Sequence, residues 1–312
     1  MNPAIVILCI AIVLVTVLCI TGCSFHSLLS YSDAEKYTAG STSISDKVES
    51  IDIDWISGNV NLVTCSDASL SVNEETDSTT DEALRVHWRL DGTTLRIKYS
   101  KSGVRTNLFG TLKKDLTISI PESASISDIT VNSVAAAVKT DKIKPDKLTI
   151  KTASGPIDSS CTAKEITIKS ASGNVVLNQT GNSEQITAET ASGKIESTVE
   201  NAGKGEFRSA SGKIGISAKK ISELYSNAVS GNITLKLDTA PNNCSLRTVS
   251  GDIILDFSKE VGFTASTETL SGKFSSDLAM KTQAGKYIYG DGSADLFFKT
   301  TSGNVSVNIK NS

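Results

Sequence analysis

Two histidines, His26 and His87, occur in 312 residues. A serine nucleophile needs a base within hydrogen-bond reach, usually a histidine. That chemistry therefore lacks its customary partner. Aromatic residues make up only 5%, and no CxxC pair exists to serve as a redox or metal motif. Three of the six cysteines, Cys9, Cys19 and Cys23, belong to the first segment. Cys65, Cys161 and Cys244 remain, an odd number at unrelated positions, and read as buried free thiols. Positive charge is not in excess either. The formal net charge is −3 and the pI about 5.6, which gives no basic footprint for nucleic acid.

What the chain does have is one unit written many times. Ser-Gly pairs begin at Ser154, Ser172, Ser192, Ser211, Ser230, Ser250 and Ser271, spaced by 18, 20, 19, 19, 20 and 21 residues. A period near twenty marks a solenoid, in which one coil cannot bury its apolar face alone and must stack on the next. Three residues after each serine stand Ile157, Val175, Ile195, Ile214, Ile233, Ile253 and Phe274, all large and apolar. They are expected to form a continuous structural ladder. Three residues before it stand Lys151, Lys169, Glu189, Arg208, Asn227, Arg247 and Glu268, all polar. Alternation with period two reads as strands with one buried face. The glycine, lacking a Cβ, is read as a corner that tolerates positive φ. The residue before each serine, Ala153 through Leu270, is apolar although simple alternation puts it outside, so either the corner bulges and turns it inward or a second layer or partner covers it.

The predicted fold is all-β: a single-stranded β-solenoid, or β-helix, of about 20-residue coils, with an N-terminal hairpin insertion, behind an N-terminal hydrophobic anchor. Residues 1–23 are read as a lipoprotein signal or transmembrane anchor. Ala4 to Ile20 carry no charge, and Ile20-Thr-Gly-Cys23 resembles a lipoprotein cleavage box in which Cys23 is acylated. An uncleaved helix running to about Leu29 is the other reading. Residues 24–43 read as a flexible tether and 44–130 as an N-terminal β capping region. The latter holds a first unit at Ser57-Gly58, with Trp55 expected to close the stack. It also holds a hairpin turning at Asp91-Gly92 and a basic loop. Residues 131–312 read as the repeat β-solenoid, which the insertion after Ser271 and the last unit, Leu296 to Ile309, are expected to close.

The Trp-Ile-Ser-Gly-Asn-Val opening at Trp55, the Leu116-Thr-Ile-Ser-Ile-Pro121 strand, the run of Ser-Gly units and the closing Thr-Ser-Gly-Asn-Val resemble the bacterial "putative adhesin" family of β-strand-repeat surface proteins, a domain of unknown function. The resemblance covers about residues 44–309. It implies a β-solenoid outside the bacterial cell, often behind a membrane segment, and offers no catalytic residues to carry over.

The recurrent serines read as corner residues bonding to backbone. Asp291 and Asp295 are too sparse for a calcium site, which takes several oxygen ligands. No metal and no cofactor are expected. The loop residues Lys101, Arg105, Lys113 and Lys114 are candidates for contact with an anionic polymer or lipid headgroups. These features predict a non-enzymatic, membrane-anchored extracellular protein, adhesin-like or a spacer, on the outer face of the cytoplasmic membrane. Its expected partners are the membrane through the N-terminus, envelope polymer or another surface macromolecule, and no nucleic acid. An enzyme acting on cell-envelope polysaccharide and an envelope-stress or regulatory lipoprotein are the alternatives.

Overall fold

A computed structural model of the chain describes residues 30–76, 81–104 and 114–310. They divide into two compact units, one ending at Gly173 and the other beginning at Asn174. Both are all-β. Among the described residues the only helical elements are two 3₁₀ turns, Ala34–Lys36 and Glu82–Leu84.

The first unit contains β1 (Thr38–Ala39), β2 (Thr42–Ile44), β3 (Ser50–Trp55), β4 (Gly58–Cys65), β5 (Leu70–Thr76), β6 (His87–Asp91), β7 (Thr94–Lys98), β8 (Lys114–Pro121), β9 (Asp128–Ser133), β10 (Ala137–Ile143), β11 (Lys147–Thr152), β12 (Ile157–Cys161) and β13 (Glu165–Ser170). Parallel pairing runs β7–β3–β9–β11–β13 on one side and β8–β4–β10–β12 on the other. Like residues stack on like. Ile129, Leu148 and Ile166 share one row, Val131, Ile150 and Ile168 the next, and all six are buried. Val138 lies between Val60 and Ile157. Parallel strands about 4.8 Å apart bring these apolar, mostly β-branched side chains into van der Waals contact.

Two expectations are corrected here. Trp55 does not close the stack, because its strand lies one rung in, between β7 and β9. It is fully buried, its Nε1–H donates to the Lys114 carbonyl at 3.2 Å, and Tyr99 meets it edge-on at 5.0 Å. The described part of the predicted tether, 30–43, is no tether. β1 and β2 pair antiparallel with β6 and β5, and the Tyr31 hydroxyl donates to the Ser100 carbonyl at 3.0 Å. Edge strands leave backbone N–H and C=O groups unpaired, and these two short segments satisfy some of them.

The second unit contains β14 (Val175–Thr190), β15 (Ile195–Ser209), β16 (Ile214–Ala228), β17 (Ile233–Leu237), β18 (Asn243–Arg247), β19 (Ile253–Phe257), β20 (Phe263–Thr269), β21 (Phe274–Ser276), β22 (Lys281–Gln283), β23 (Lys286–Tyr289), β24 (Ala294–Thr300) and β25 (Val305–Ile309). Val175, Ile195, Ile214, Ile233 and Ile253 stack in register and are buried. Above Ile253 comes Val305, and only then Phe274. The last unit of the sequence therefore sits inside the stack, between β18–β19 and β20–β21. Phe274 is half-buried, unlike the rest of its row, because no further rung covers it. Tyr287 stacks on it at 4.2 Å from the β22–β23 hairpin, which pairs antiparallel with β20. That hairpin, and not the last unit, closes this end.

The corners explain the Ser-Gly spacing differently from the positive-φ reading. In that row only Gly58 has positive φ, at +92°. A Cβ on Gly212 would lie far inside van der Waals contact distance of the Gly193 carbonyl oxygen, and Gly231 stands in the same relation to Gly212. Each glycine is required because the neighbouring rung's backbone passes against it. Its amide donates to a hydroxyl two residues before the serine: Gly155 to Thr152 at 3.0 Å, Gly173 to Ser170 at 2.7 Å, Gly212 to Ser209 at 2.8 Å. Those hydroxyl residues are buried. The side chain before the serine stands at the corner, half-exposed at Ala153, Ala171 and Ala210 and 79% exposed at Leu270.

Candidate functional site

Of the residues singled out from the sequence for an anchor or an anionic-polymer contact, only Lys101 and Lys114 are among the described residues. Cys23, Arg105 and Lys113 lie outside the described residues, and Lys101 is exposed. Lys114 opens β8 facing inward and is fully buried, which corrects its assignment to an anionic-polymer contact. Its ammonium lies 2.8 Å from Glu74 Oε1 of β5, donates to the carbonyls of Leu84 (2.7 Å) and Tyr99, and sits 4.0 Å from the Tyr99 ring centroid and 5.0 Å from that of Trp55. Burial pulls its pKa down to about 8, with the Glu74 charge opposing. A fully desolvated ammonium ringed by acceptors and π-faces has no surface to offer a polymer.

Serine chemistry finds no machinery either. Ser154 and Ser172 Oγ donate to the carbonyls of Val134 and Ala153, both at 3.3 Å. His87 is buried with Nδ1 2.9 Å from the Arg85 carbonyl oxygen, and burial lowers its pKa. Cys161 and Cys244 are buried free thiols that burial pushes up to about 11 and about 12. Thiols held that far from ionisation are inert. Among the described residues no group of three or more His, Cys, Asp or Glu side chains is arranged to hold a metal ion.

Among the described residues a cleft of about 790 Å³ lies on the outer face of β15, β16, β18, β24 and β20. Because the strands are in register, outward side chains form rows across them. One row runs Glu206, Tyr225, Ser245, Phe297, Ser266, and the next Arg208, Asn227, Arg247, Lys299, Glu268. Tyr225 and Phe297 are half-buried, with Ser245 between them. Arg208 pairs with Glu189 at 2.7 Å and Glu206 at 2.8 Å, Lys204 with Glu206 at 2.6 Å, and Lys299 with Glu268 at 2.6 Å. Among the described residues Arg247 has no carboxylate partner. Its Nε donates to Ser245 Oγ at 3.3 Å, and its guanidinium carbon lies 5.2 Å from the Phe297 centroid. Lys204 and Arg208 hold the Glu206 carboxyl below the usual carboxylate range. A general acid needs the opposite shift, so this carboxylate is suited to charge balance and not to proton donation.

The Toastrack DUF4097 family model matches residues 48–308. The chain belongs to this family. The resemblance read from the Ser-Gly units is thereby borne out, and with it membership of a domain of unknown function. No curated protein matches the sequence. Among solved structures the chain is similar to a "putative adhesin" from Parabacteroides distasonis, at 14% identity over 88% of this chain and 97% of that one, with a TM-score of 0.45. A "putative lipid binding protein" from the same species matches at 14% identity over 88% and 97%, with a TM-score of 0.41. A "putative adhesin" from Parabacteroides merdae matches at 13% identity over 88% and 96%, with a TM-score of 0.45.

Within this Toastrack domain the cleft was not foreseen from the sequence. The signal lay five residues before the serine, where Tyr225 and Phe297 occupy one structural row. What hid it is chain order, since Phe297 reaches Ser245 only because β24 pairs with β18.

Proposed function

We propose that this Toastrack chain is a non-enzymatic β-solenoid of the bacterial cell envelope, held at the outer face of the cytoplasmic membrane and binding another macromolecule through an exposed strand face. The observation that carries the reading is the cleft itself. It offers rings, amides, one guanidinium without a carboxylate partner and the Asp295 carboxylate, while Glu206 is tied up by two cations. Such a surface is suited to binding. The uncharged segment Ala4 to Ile20 and Cys23 supply the anchor, by acylation of Cys23 or as an uncleaved span. Lys101, Arg105 and Lys113, without Lys114, are the cations left to meet anionic headgroups near it.

Mass spectrometry of the mature N-terminus, together with protease shaving of intact cells, tests this reading. The expected result is a chain cut from outside, beginning either at lipidated Cys23 or at Met1 with the apolar segment retained. A chain protected in intact cells, or one cleaved after residue 23 with no lipid, would overturn it.

A further inference from the structure

The cleft carries a more specific assignment, which rests on the binding reading above. We propose that it is a site for an acidic polysaccharide, one with neutral sugars interspersed with carboxylate-bearing ones. Tyr225 and Phe297 lie two strands apart in one row, about 9.6 Å at the usual strand spacing. That is close to the length of a disaccharide, so two rings can each stack against alternate sugars of one extended chain laid across the strands. Between and beside them are neutral groups that both donate and accept, Ser245, Asn227 and Asn243, which suit sugar hydroxyls. In the adjoining row Arg208 and Lys299 are neutralised by Glu189 and Glu268, leaving Arg247 at the centre with Asn227 at its side. Lys286, at the cleft margin, likewise has no ion pair among the described residues. A sugar stacked on Phe297 would bring its carboxylate to the Arg247 guanidinium, whose planar fork of donors matches a carboxylate.

Other occupants fit less well. A peptide strand adds to an open sheet edge, but this is a face, whose backbone groups already pair with neighbouring strands. A phosphodiester polymer calls for a run of unpaired cations, whereas two are unpaired here and the chain carries a net charge of −3. An acyl chain calls for an apolar lining, and most of this lining is polar.

The test uses the full-length protein in non-ionic detergent, run in native gels containing hyaluronan, polygalacturonate or neutral dextran. The expected result is retardation by an acidic glycan and none by dextran. Tyr225→Ala and Phe297→Ala should each weaken binding by about tenfold or more, as central aromatic anchors do. Arg247→Gln, at an exposed position, should remove the preference for the acidic glycan, while Lys213→Ala should leave binding unchanged. Failure of every acidic glycan to retard the protein overturns the assignment. Equal retardation by dextran overturns its acidic half, and retardation insensitive to both ring substitutions overturns its placement. Each outcome is readable whatever the mature N-terminus turns out to be, so this site and the surface location fail separately.

Discussion

At the scale of single residues the strongest constraint is the Lys114–Glu74 pair. A buried ion pair is costly to break from one side, because the survivor keeps its desolvation penalty without its partner. Lys114→Met should therefore cost about 3–5 kcal/mol, while Lys114→Met combined with Glu74→Met should cost much less, measured by chemical denaturation. The pair also has a pH signature. The folded pKa of Lys114 is about 8 against an ordinary lysine value of 10.5. Between those values the unfolded chain binds the proton and the folded chain has released it, so stability rises with pH across that window. Above pH 10 Tyr31, whose pKa burial raises to about 12, acts in the opposite direction. The rise between pH 8 and 10 should be absent from Lys114→Met; an identical slope in both proteins would contradict the assignment. None of this was legible in the sequence, where Lys114 is one lysine in a polar, basic stretch. Its inward direction is fixed by the alternation of β8, and its neutralisation by a carboxylate forty residues earlier in the chain.

At the scale of strands the sequence was most informative where one residue class repeats at one place. Ile195, Ile214 and Ile233 read as a ladder from their spacing alone, and they stack in register with at most 1% exposure. The places before the serine were less legible because packing there is shared between rungs. Gly205 leaves room for the ring of Phe207, whose in-register neighbours Ala188 and Ser226 are small. Each position looks irregular along the chain, yet the sum of volumes across rungs is what close packing conserves. The ladder yields a direct test. Ile214→Asp places a carboxylate between two isoleucines, losing roughly 1.5–3 kcal/mol of apolar burial and adding the desolvation of a charge. Lys213→Asp, one residue away at an exposed position, changes only surface charge. The first variant should melt far below the second in calorimetry; similar melting temperatures would mean the row is not a dry interior.

At the scale of each whole unit, rung order departs from chain order. In the first unit β3–β4 lies inside the later β7 and β8; in the second, β24–β25 lies inside the earlier β20–β21. A periodic sequence cannot announce this, because every rung offers nearly the same apolar row to its neighbour. The consequence is that removing the C-terminus does not peel an end. Truncation after Gly292 deletes Leu296, Phe298, Val305 and Val307, all buried, and strips β18 and β19 of their upper partner. It also leaves β20 with only the antiparallel β22–β23 hairpin and takes from β21 its parallel partner β25. Four core side chains at roughly 1.5–3 kcal/mol each are comparable to the whole stability of a typical domain. Hydrogen exchange on the truncated chain should therefore show protection lost at 243–257 and at 263–276, while 128–170 in the first unit stays protected. Were the order of rungs the order of the sequence, 263–276 would still pair with 243–257 after truncation and keep its protection. That outcome would return Phe274 to the place above Ile253.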